Sequence, residues 1–239
     1  MSRSWCSARD ASAAVELSGL SLGYARVCVV RDVNATVQIG DLVAVIGPNG
    51  AGKTTLLKAI AGLLRPIAGR VEVRAASRRD IGYLPQRSDI VRDFPISVLD
   101  MVSAGLWRST GAFSGFNRVA RQRVDDALGA VGLDGFGPRI IGTLSGGEFQ
   151  RMLFARLMLQ DAALILMDEP FNHIDEGTTA DLLRLINDWH RNGCTIIVVL
   201  HDIGMVRRHF PRVICFERGS AIFGSTHELL VKRRLVGIL

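Results

Sequence analysis

The sequence has few cysteines and no long hydrophobic run. Its four cysteines are widely separated and form no C-x-x-C pair, which disfavours a structural zinc site and favours reduced thiols; they are Cys6, Cys28, Cys194 and Cys215. No apolar stretch approaches the roughly 18 residues that span a bilayer, and no apolar segment follows the N-terminal arginines as in a secretory signal. We therefore expect a chain that stays soluble inside the cell.

Lysine and aromatic residues are also scarce. Aromatic side chains make up 6% of the 239 residues, and only three of the 29 basic residues are lysine, although the formal net charge is +6. A basic chain suggests a nucleic-acid partner. The arginines are spread along the sequence with few aromatic residues between them, however, which favours a solvated or membrane-facing basic surface and no nucleic-acid partner.

The overall composition is that of an ordinary globular protein, with 48% hydrophobic and 22% charged residues. It excludes intrinsic disorder for the bulk of the chain, and the length fits one large domain or two small ones. Residues 1–13 are polar and are predicted to form a flexible leader.

Apolar periodicity divides the rest of the chain into three parts. The first predicts strands and one helix, at Val15–Leu17, Leu20–Tyr24, Val27–Val30, Val33–Val37, Leu42–Ile46, 53–64 (the helix), Val71–Arg74 and Ile81–Leu84. The second, residues 88–143, predicts helices, one of them over 97–104 and another capped by Asn117. The third alternates helix and strand, at 145–160, 163–167, 176–191 and 195–200. This alternation predicts a parallel α/β sheet with a helical insert.

The most specific motif lies between the apolar strand at 42–46 and the following helix. It reads Gly-Pro-Asn-Gly-Ala-Gly-Lys-Thr and matches G-x-x-x-x-G-K-[ST]. In this pattern backbone N–H groups surround phosphate oxygens, the lysine reaches the β- and γ-phosphates, and the threonine hydroxyl binds Mg²⁺. The predicted nucleotide-binding residues are Gly47, Pro48, Asn49, Gly50, Ala51, Gly52, Lys53, Thr54 and Thr55.

Two acids end the apolar strand over 164–167. Asp168 and Glu169 lie there, and open parallel sheets bind ligands at such C-terminal strand ends. Asp168 is predicted to orient Mg²⁺, and Glu169 to act as general base for an attacking water. Without the phosphate-binding motif, the alternative is a strand end that happens to reach solvent.

Residues 144–148 resemble the signature of ABC-type ATPases. Leu144, Ser145, Gly146, Gly147 and Glu148 match LSGGQ at four of five positions, with Glu148 in place of glutamine. Taken alone, Ser145 and Glu148 could equally form a capping box at an ordinary helix start. The phosphate-binding motif and the acid pair flank this segment in the order found in the family, which makes the resemblance specific.

Other residues resemble further elements of that family. Gln86 resembles the glutamine that contacts Mg²⁺ and senses the γ-phosphate, His201 the histidine that contacts the γ-phosphate, and Tyr24 the aromatic residue that stacks on adenine. Asn172 and Asp175 lie in a segment similar to the D-loop. Each of these residues, taken individually, has a simpler alternative as a loop or strand-end residue.

The resemblance implies a P-loop NTPase fold with a parallel core sheet, an N-terminal antiparallel β-subdomain and an inserted helical subdomain. It implies a single domain over 14–239, with a catalytic core at 14–87 and 144–239 and the insert at about 88–143. The expected activity is ATP hydrolysis with ATP and Mg²⁺ bound. In that reaction Glu169 and His201 are catalytic, and the Mg²⁺ ligands are Thr54, Gln86 and Asp168.

The resemblance also implies partners. We expect a head-to-tail homodimer in the ATP state, in which residues 144–148 contact the ATP of the other subunit. Two transmembrane permease subunits and an extracytoplasmic substrate-binding protein complete such a system. The chain is then peripheral, at the cytoplasmic face of the cell membrane.

The segments at 86–89 and 93–98 resemble the zinc and manganese uptake branch of bacterial ABC importers. They lie where contacts with the permease are expected, and they therefore indicate the type of membrane partner more than the transported ion. The alternatives are an iron-chelate or other ABC importer, a soluble ABC ATPase that acts on nucleic acid or ribosomes, and a non-catalytic regulator. The single set of motifs argues against the soluble class, and the presence of Glu169 and His201 argues against the regulator.

Overall fold

The computed structural model describes residues 12–24, 27–74, 80–86, 90, 92–107, 117–217 and 220–232. Most of the predicted leader, residues 1–11, lies outside these ranges, as do Arg87, Ser88 and Asp89 of the importer-like segment. The expectation of a leader that reaches residue 13 is slightly too long, because Ala13 already pairs with Gln38 at the start of the first strand.

Three strands form an antiparallel sheet in the order β2-β1-β4: β1 (Ala13–Tyr24), β2 (Val27–Gln38) and β4 (Ala68–Val73). The prediction of four short strands before residue 38 was wrong, since the structure has two long ones. The apparent breaks are bulges, at which Gly19 and Asp32 adopt φ angles of 55° and 48° and the pairing register shifts. A bulge interrupts the alternation of side chains without ending the strand.

Six strands form the main sheet in the order β5-β6-β7-β3-β8-β9. The first five are mutually parallel and β9 is antiparallel to β8, which confirms the predicted parallel core. Every residue of β3, β6 and β7 is buried. The strand bounds are β3 (Leu42–Ile46), β5 (Ile81–Leu84), β6 (Leu164–Asp168), β7 (Thr195–Val199), β8 (Arg212–Glu217) and β9 (Ser220–Ser225).

The main sheet separates two hydrophobic cores. Successive strand residues point to opposite faces, so Leu42 and Ala44 pack with the later helices, whereas Val43 and Val45 pack with the antiparallel sheet and the first helix. Burial on both faces explains why β3 is apolar throughout and why β6 and β7 are apolar except at Asp168 and Thr195.

The α-helices in the described ranges are α1 (Lys53–Ile60), α2 (Val98–Ser103), α3 (Arg118–Ala130), α4 (Gly146–Met158), α5 (Glu176–Arg191) and α6 (Ile203–His209). Short 3₁₀ turns cover Ala104–Leu106 and Ile141–Thr143, and a π-helical turn covers His227–Lys232. The expectation that α1 runs to residue 64 was wrong. Gly62 adopts a φ of 74°, and Leu63 N donates to Lys58 O at 2.8 Å. This pattern is a glycine C-cap, which ends the helix one turn earlier.

Two backbone hydrogen bonds join the beginning of the helical insert to its end, just before α4. Val98 N donates to Arg139 O at 2.8 Å, and Ile141 N donates to Ile96 O at 3.0 Å. The predicted cap of α3 is confirmed, because the Asn117 side chain accepts a hydrogen bond from Ala120 N. Among the described residues, no helix combines the length and apolar character needed to cross a membrane.

Three of the four cysteines, Cys28, Cys194 and Cys215, carry free thiols, and Cys6 lies outside the described ranges. Burial raises the pKa of the Cys215 thiol to about 11. This thiol is therefore protonated at neutral pH and behaves as a small hydrophobic side chain in the core.

Candidate active site

The predicted site residues converge at one edge of the main sheet. Gln86 follows β5, Glu169 follows β6, His201 follows β7, and the glycine-rich loop follows β3. These four strands are neighbours and run in the same direction, so their C-terminal ends lie side by side. This is the edge at which open parallel sheets bind ligands.

The glycine-rich loop, residues 47–52, requires glycine at two positions. A Cβ on Gly52, at a φ of 99°, would lie 2.2 Å from Val30 Cγ2, and a Cβ on Gly47 would lie 2.6 Å from Phe216 Cβ. The loop therefore packs its backbone directly against β2 and β8. Packing of this kind brings the backbone close to its surroundings and orients the N–H groups that lead into α1.

Lys53 begins α1 and points back into the loop. Its Nζ donates to Gly47 O at 2.8 Å and to Pro48 O at 2.9 Å, and the residue is only 5% exposed. Burial lowers the pKa of Lys53, and the charges of Glu169 and Asp168 oppose that effect. The ammonium is thus held by carbonyl oxygens within the loop and lies in the electrostatic field of both acids.

The backbone turns immediately after β6. Asp168 is the last strand residue and is 1% exposed, whereas Glu169 adopts a φ of 50° and its N–H donates to Val199 O at 3.2 Å. In an extended strand the two side chains would point to opposite faces. The turn at Glu169 instead directs its carboxylate to the sheet edge, where it contacts residues that follow the neighbouring strands.

Three side chains hold the Glu169 carboxylate. Oε2 accepts hydrogen bonds from Gln86 Nε2 at 2.8 Å and from Asn172 Nδ2 at 2.6 Å, and Oε1 lies 2.6 Å from His201 Nε2. The Glu169 side chain is 12% exposed and that of His201 is 37% exposed. The cluster therefore combines a fixed, largely buried carboxylate with a solvent-accessible imidazole.

Sequence reasoning missed the part that Asn172 plays in this cluster. The sequence places Asn172 only in the D-loop-like segment, whereas its side chain contacts Glu169 directly. The available signal was that Asn172 follows Glu169 by only three residues, a separation at which a tight turn can bring two residues together. In the structure Asn172 N donates to Glu169 O at 3.3 Å, as in such a turn.

The signature-like residues form a second cluster on the start of α4. Ser145 Oγ accepts from Glu148 N at 3.3 Å, and Glu148 Oε2 accepts from Ser145 N at 2.7 Å. The predicted capping box is therefore present. Leu144 is buried, and Arg92 Nη2 donates to its carbonyl oxygen at 2.5 Å.

The remaining predicted residues occupy positions of different kinds. Tyr24 ends β1 and is 49% exposed, and on α1 Thr54 is half-buried and Thr55 buried. Asp175 caps α5 by accepting a hydrogen bond from Thr178 N at 2.8 Å. This bond lowers the pKa of Asp175.

The described residues hold no group of three or more His, Cys, Asp or Glu side chains that could bind a metal ion. Mg²⁺ makes a smaller demand, because it is usually held by one or two carboxylates together with substrate phosphates. Thr54, Gln86 and Asp168 offer a hydroxyl, an amide oxygen and a carboxylate, all of which are oxygen ligands of the kind that Mg²⁺ prefers. The donor set therefore fits nucleotide-associated Mg²⁺.

Residues 30–172 match the protein family described as "ABC transporter". The manganese transport system ATP-binding protein MntB of Listeria monocytogenes is 35% identical over 92% of this chain and 94% of its own length. The zinc transport system ATP-binding protein TroB of Treponema pallidum is 40% identical over 90% of this chain and 84% of its own length.

A solved structure supports the same assignment. The dimeric, post-hydrolysis ATP-binding cassette MJ0796, with ADP and Pi bound, superimposes with a TM-score of 0.76 and 27% identity, over 89% of this chain and 98% of that one. The fold is thus that of a P-loop NTPase with an antiparallel β-subdomain, as the sequence predicts. The chain belongs to the ABC transporter family and is one of its ATP-binding, ATP-hydrolysing cassettes.

Proposed function

We propose that this chain hydrolyses ATP to drive the import of a transition metal, zinc or manganese, through separate membrane subunits. The observation that carries the proposal is the Glu169 carboxylate, held by Gln86, Asn172 and His201 at the same sheet edge as the Lys53 loop. The proposed cargo rests on the two relatives, which are named as manganese and zinc transport proteins.

The glycine-rich loop is the proposed triphosphate site. The backbone of residues 47–52 and the start of α1 provide N–H groups and partial positive charge for the phosphates. Lys53 exchanges its bonds to Gly47 O and Pro48 O for bonds to the β- and γ-phosphates. Thr54, Gln86 and Asp168 would hold Mg²⁺, which would neutralise phosphate charge, and Tyr24 would stack on adenine.

Glu169 and His201 are the proposed catalytic residues. The Glu169 carboxylate accepts a proton from the attacking water, whose oxygen bonds to the γ-phosphorus as the bond from that phosphorus to the β–γ bridging oxygen breaks and ADP leaves. His201 contacts the γ-phosphate and keeps Glu169 in place through the 2.6 Å contact. Because the Glu169 side chain is largely buried, few other water molecules can reach its carboxylate and displace the attacking water.

A second copy of the chain completes the site. Residues 144–148 of one protomer face the γ-phosphate bound by the other, and the D-loop segment with Asn172 and Asp175 lies at that interface. The dimeric state of the similar cassette MJ0796 supports this arrangement. Hydrolysis removes the ligand shared by the two protomers and so loosens the dimer.

The remaining partners follow from the proposed transport cycle. Two membrane permease subunits form the path for the metal, and an extracytoplasmic substrate-binding protein delivers it. The chain then works as a peripheral subunit at the cytoplasmic face of the membrane. No nucleic acid takes part.

The test is transport by the assembled system. The chain and its membrane subunits are reconstituted in vesicles with the binding protein, and movement of radiolabelled zinc, manganese and an iron chelate is measured together with phosphate release. We expect zinc or manganese uptake with ATP, lost in Lys53→Ala and retained in Lys58→Ala, a matched lysine change on the same helix. Uptake of the iron chelate alone would contradict the proposed cargo, and absence of phosphate release would contradict the entire proposal.

A further inference from the structure

The signature segment, residues 144–148, carries a negative charge where the family pattern has glutamine. Glu148 is the third residue of α4, and its Oε2 accepts a hydrogen bond from Ser145 N. Helix geometry leaves the N–H groups of Gly146 and Gly147 without an intrahelical acceptor. A carboxylate beside these groups weakens the positive potential that a helix start offers to an incoming phosphate.

A guanidinium reaches this carboxylate from the preceding loop. Arg139 Nη1 donates to Glu148 Oε1 at 3.3 Å, and Arg139 Nη2 donates to Thr143 O at 3.2 Å. The same guanidinium lies 4.5 Å from the centre of the Phe136 ring. Arg139 is therefore held in place by its own loop before any partner arrives.

The Arg139–Glu148 ion pair is too exposed to contribute much to folding stability. The two side chains are 39% and 29% exposed, and ion pairs of such exposure contribute little to folding stability. The pKa of Glu148 is lowered, first by the Ser145 backbone hydrogen bond and also by Arg139, so the carboxylate is charged at neutral pH. The main effect of Arg139 is thus electrostatic: its positive charge compensates the negative charge of Glu148 at the start of α4.

We propose that Arg139 is a positioning residue for ATP hydrolysis, because it neutralises Glu148 and so allows the start of α4 to receive the triphosphate bound by a second copy of the chain. This inference rests on the proposed function, in which the signature segment meets ATP across a dimer interface. Arg139 acts only through Glu148 and does not itself contact the nucleotide.

A double-mutant cycle tests the inference. We compare the ATP concentration at half-maximal turnover for the wild type, Arg139→Gln, Glu148→Gln and the double variant. Arg139→Gln leaves the Glu148 charge uncompensated and should raise this concentration about fivefold, the upper range for one exposed charge pair. In the Glu148→Gln background the same change should have less than about a twofold effect, because no charge remains to be balanced.

Two further variants separate charge from structure. Arg139→Lys keeps the charge and should restore most of the loss, whereas Arg121→Gln removes the matched Arg121–Asp125 pair of the insert and should leave turnover unchanged. The increase in the half-maximal ATP concentration caused by Arg139→Gln should also become smaller as the salt concentration rises, because ions screen the exposed Glu148 charge.

The outcomes distinguish the inference from the proposed function. If Arg139→Gln is as damaging in the Glu148→Gln background as in the wild type, Arg139 acts through Thr143 and Phe136 and the inference is overturned. Wild-type kinetics in Arg139→Gln overturn it as well. If the wild type releases no more phosphate than Lys53→Ala, the proposed ATPase site itself is wrong.

Discussion

The two regions of this chain that are proposed to face ATP are built in different ways. The catalytic edge, with Lys53 and Glu169, stands on the ends of strands that are buried throughout. The signature segment stands on the start of one helix and is held by single side-chain contacts, most of them close in sequence, as between Ser145 and Glu148, with Arg92 reaching Leu144 O from the insert. The sheet thus fixes the first region, whereas individual side chains fix the second. Changes at the first should therefore have the larger consequences.

The largest effect is expected for Glu169→Gln. The amide keeps the shape of the side chain but cannot accept a proton from water, so turnover should fall by about 10²- to 10⁴-fold. ATP binding should persist, and an ATP-bound dimer should accumulate. Phosphate release and size-exclusion chromatography with ATP measure the two effects. The control is Glu176→Gln, an exposed acid at the start of α5 that should leave both unchanged.

Gly52→Ala should produce the next largest effect, on stability as well as on binding. The new Cβ would lie 2.2 Å from Val30 Cγ2, and the φ of 99° is itself unfavourable for alanine. Gly193→Ala provides the comparison, because Gly193 has a φ of 89° but no atom within 4 Å of the added Cβ.

Urea unfolding separates these two contributions. Gly193→Ala should cost about 1–2 kcal/mol from the backbone conformation alone, and Gly52→Ala should cost clearly more and also weaken ATP binding. Equal losses in the two variants would show that the contact of the loop with β2 relaxes without penalty.

The catalytic edge is also the more predictable of the two regions. Runs of apolar residues identify the buried strands, and the C-terminal ends of these runs locate Asp168, Glu169 and His201 from the sequence alone. The bulges at Gly19 and Asp32 are not predictable in this way, because pairing with a neighbouring strand, and not local pattern, keeps β1 and β2 continuous.

The contacts around Glu169 and Glu148 mark the limit of sequence reasoning. The turn at Glu169 and its bond to Asn172 depend on a positive φ that no side-chain preference of glutamate indicates. The capping box of Ser145 and Glu148 is predictable because it is local in sequence. The Arg139 contact is not, since it depends on the conformation of the loop before α4, where Val98 N donates to Arg139 O.

A moderate effect is expected for Asn172→Ala. Glu169 keeps its contacts with Gln86 and His201 but loses one charge-assisted hydrogen bond of 2.6 Å. Such a bond contributes about 1.5–3 kcal/mol, so turnover should fall roughly tenfold or more while ATP affinity changes little. Steady-state kinetics measure the two parameters. A fall in affinity without a change in maximal turnover would place Asn172 outside the catalytic cluster.

The smallest effect concerns the cap of α5, which lies beside the signature segment, and it depends on pH. The pKa of Asp175 is lowered from its ordinary value of 3.8, mainly by the hydrogen bond from Thr178 N, so ionised Asp175 stabilises the folded chain. The contribution is complete above the unfolded-state pKa and is lost as the pH falls through the lower folded-state pKa. The free energy of unfolding of the wild type should therefore exceed that of Asp175→Asn by a constant amount near neutral pH, and the difference should shrink below about pH 4.

A cap that cannot ionise provides the comparison for Asp175. The Asn117 side chain accepts a hydrogen bond from Ala120 N at 2.9 Å at the start of α3. Asn117→Ala should lower the free energy of unfolding by about 1 kcal/mol, and this loss should be the same at neutral and acidic pH because the amide carries no titratable proton in that range. Urea unfolding at a series of pH values measures both differences. If the two shrink in parallel as the solution is acidified, the pH dependence reflects a general weakening of the fold, and the charge of Asp175 is not its source.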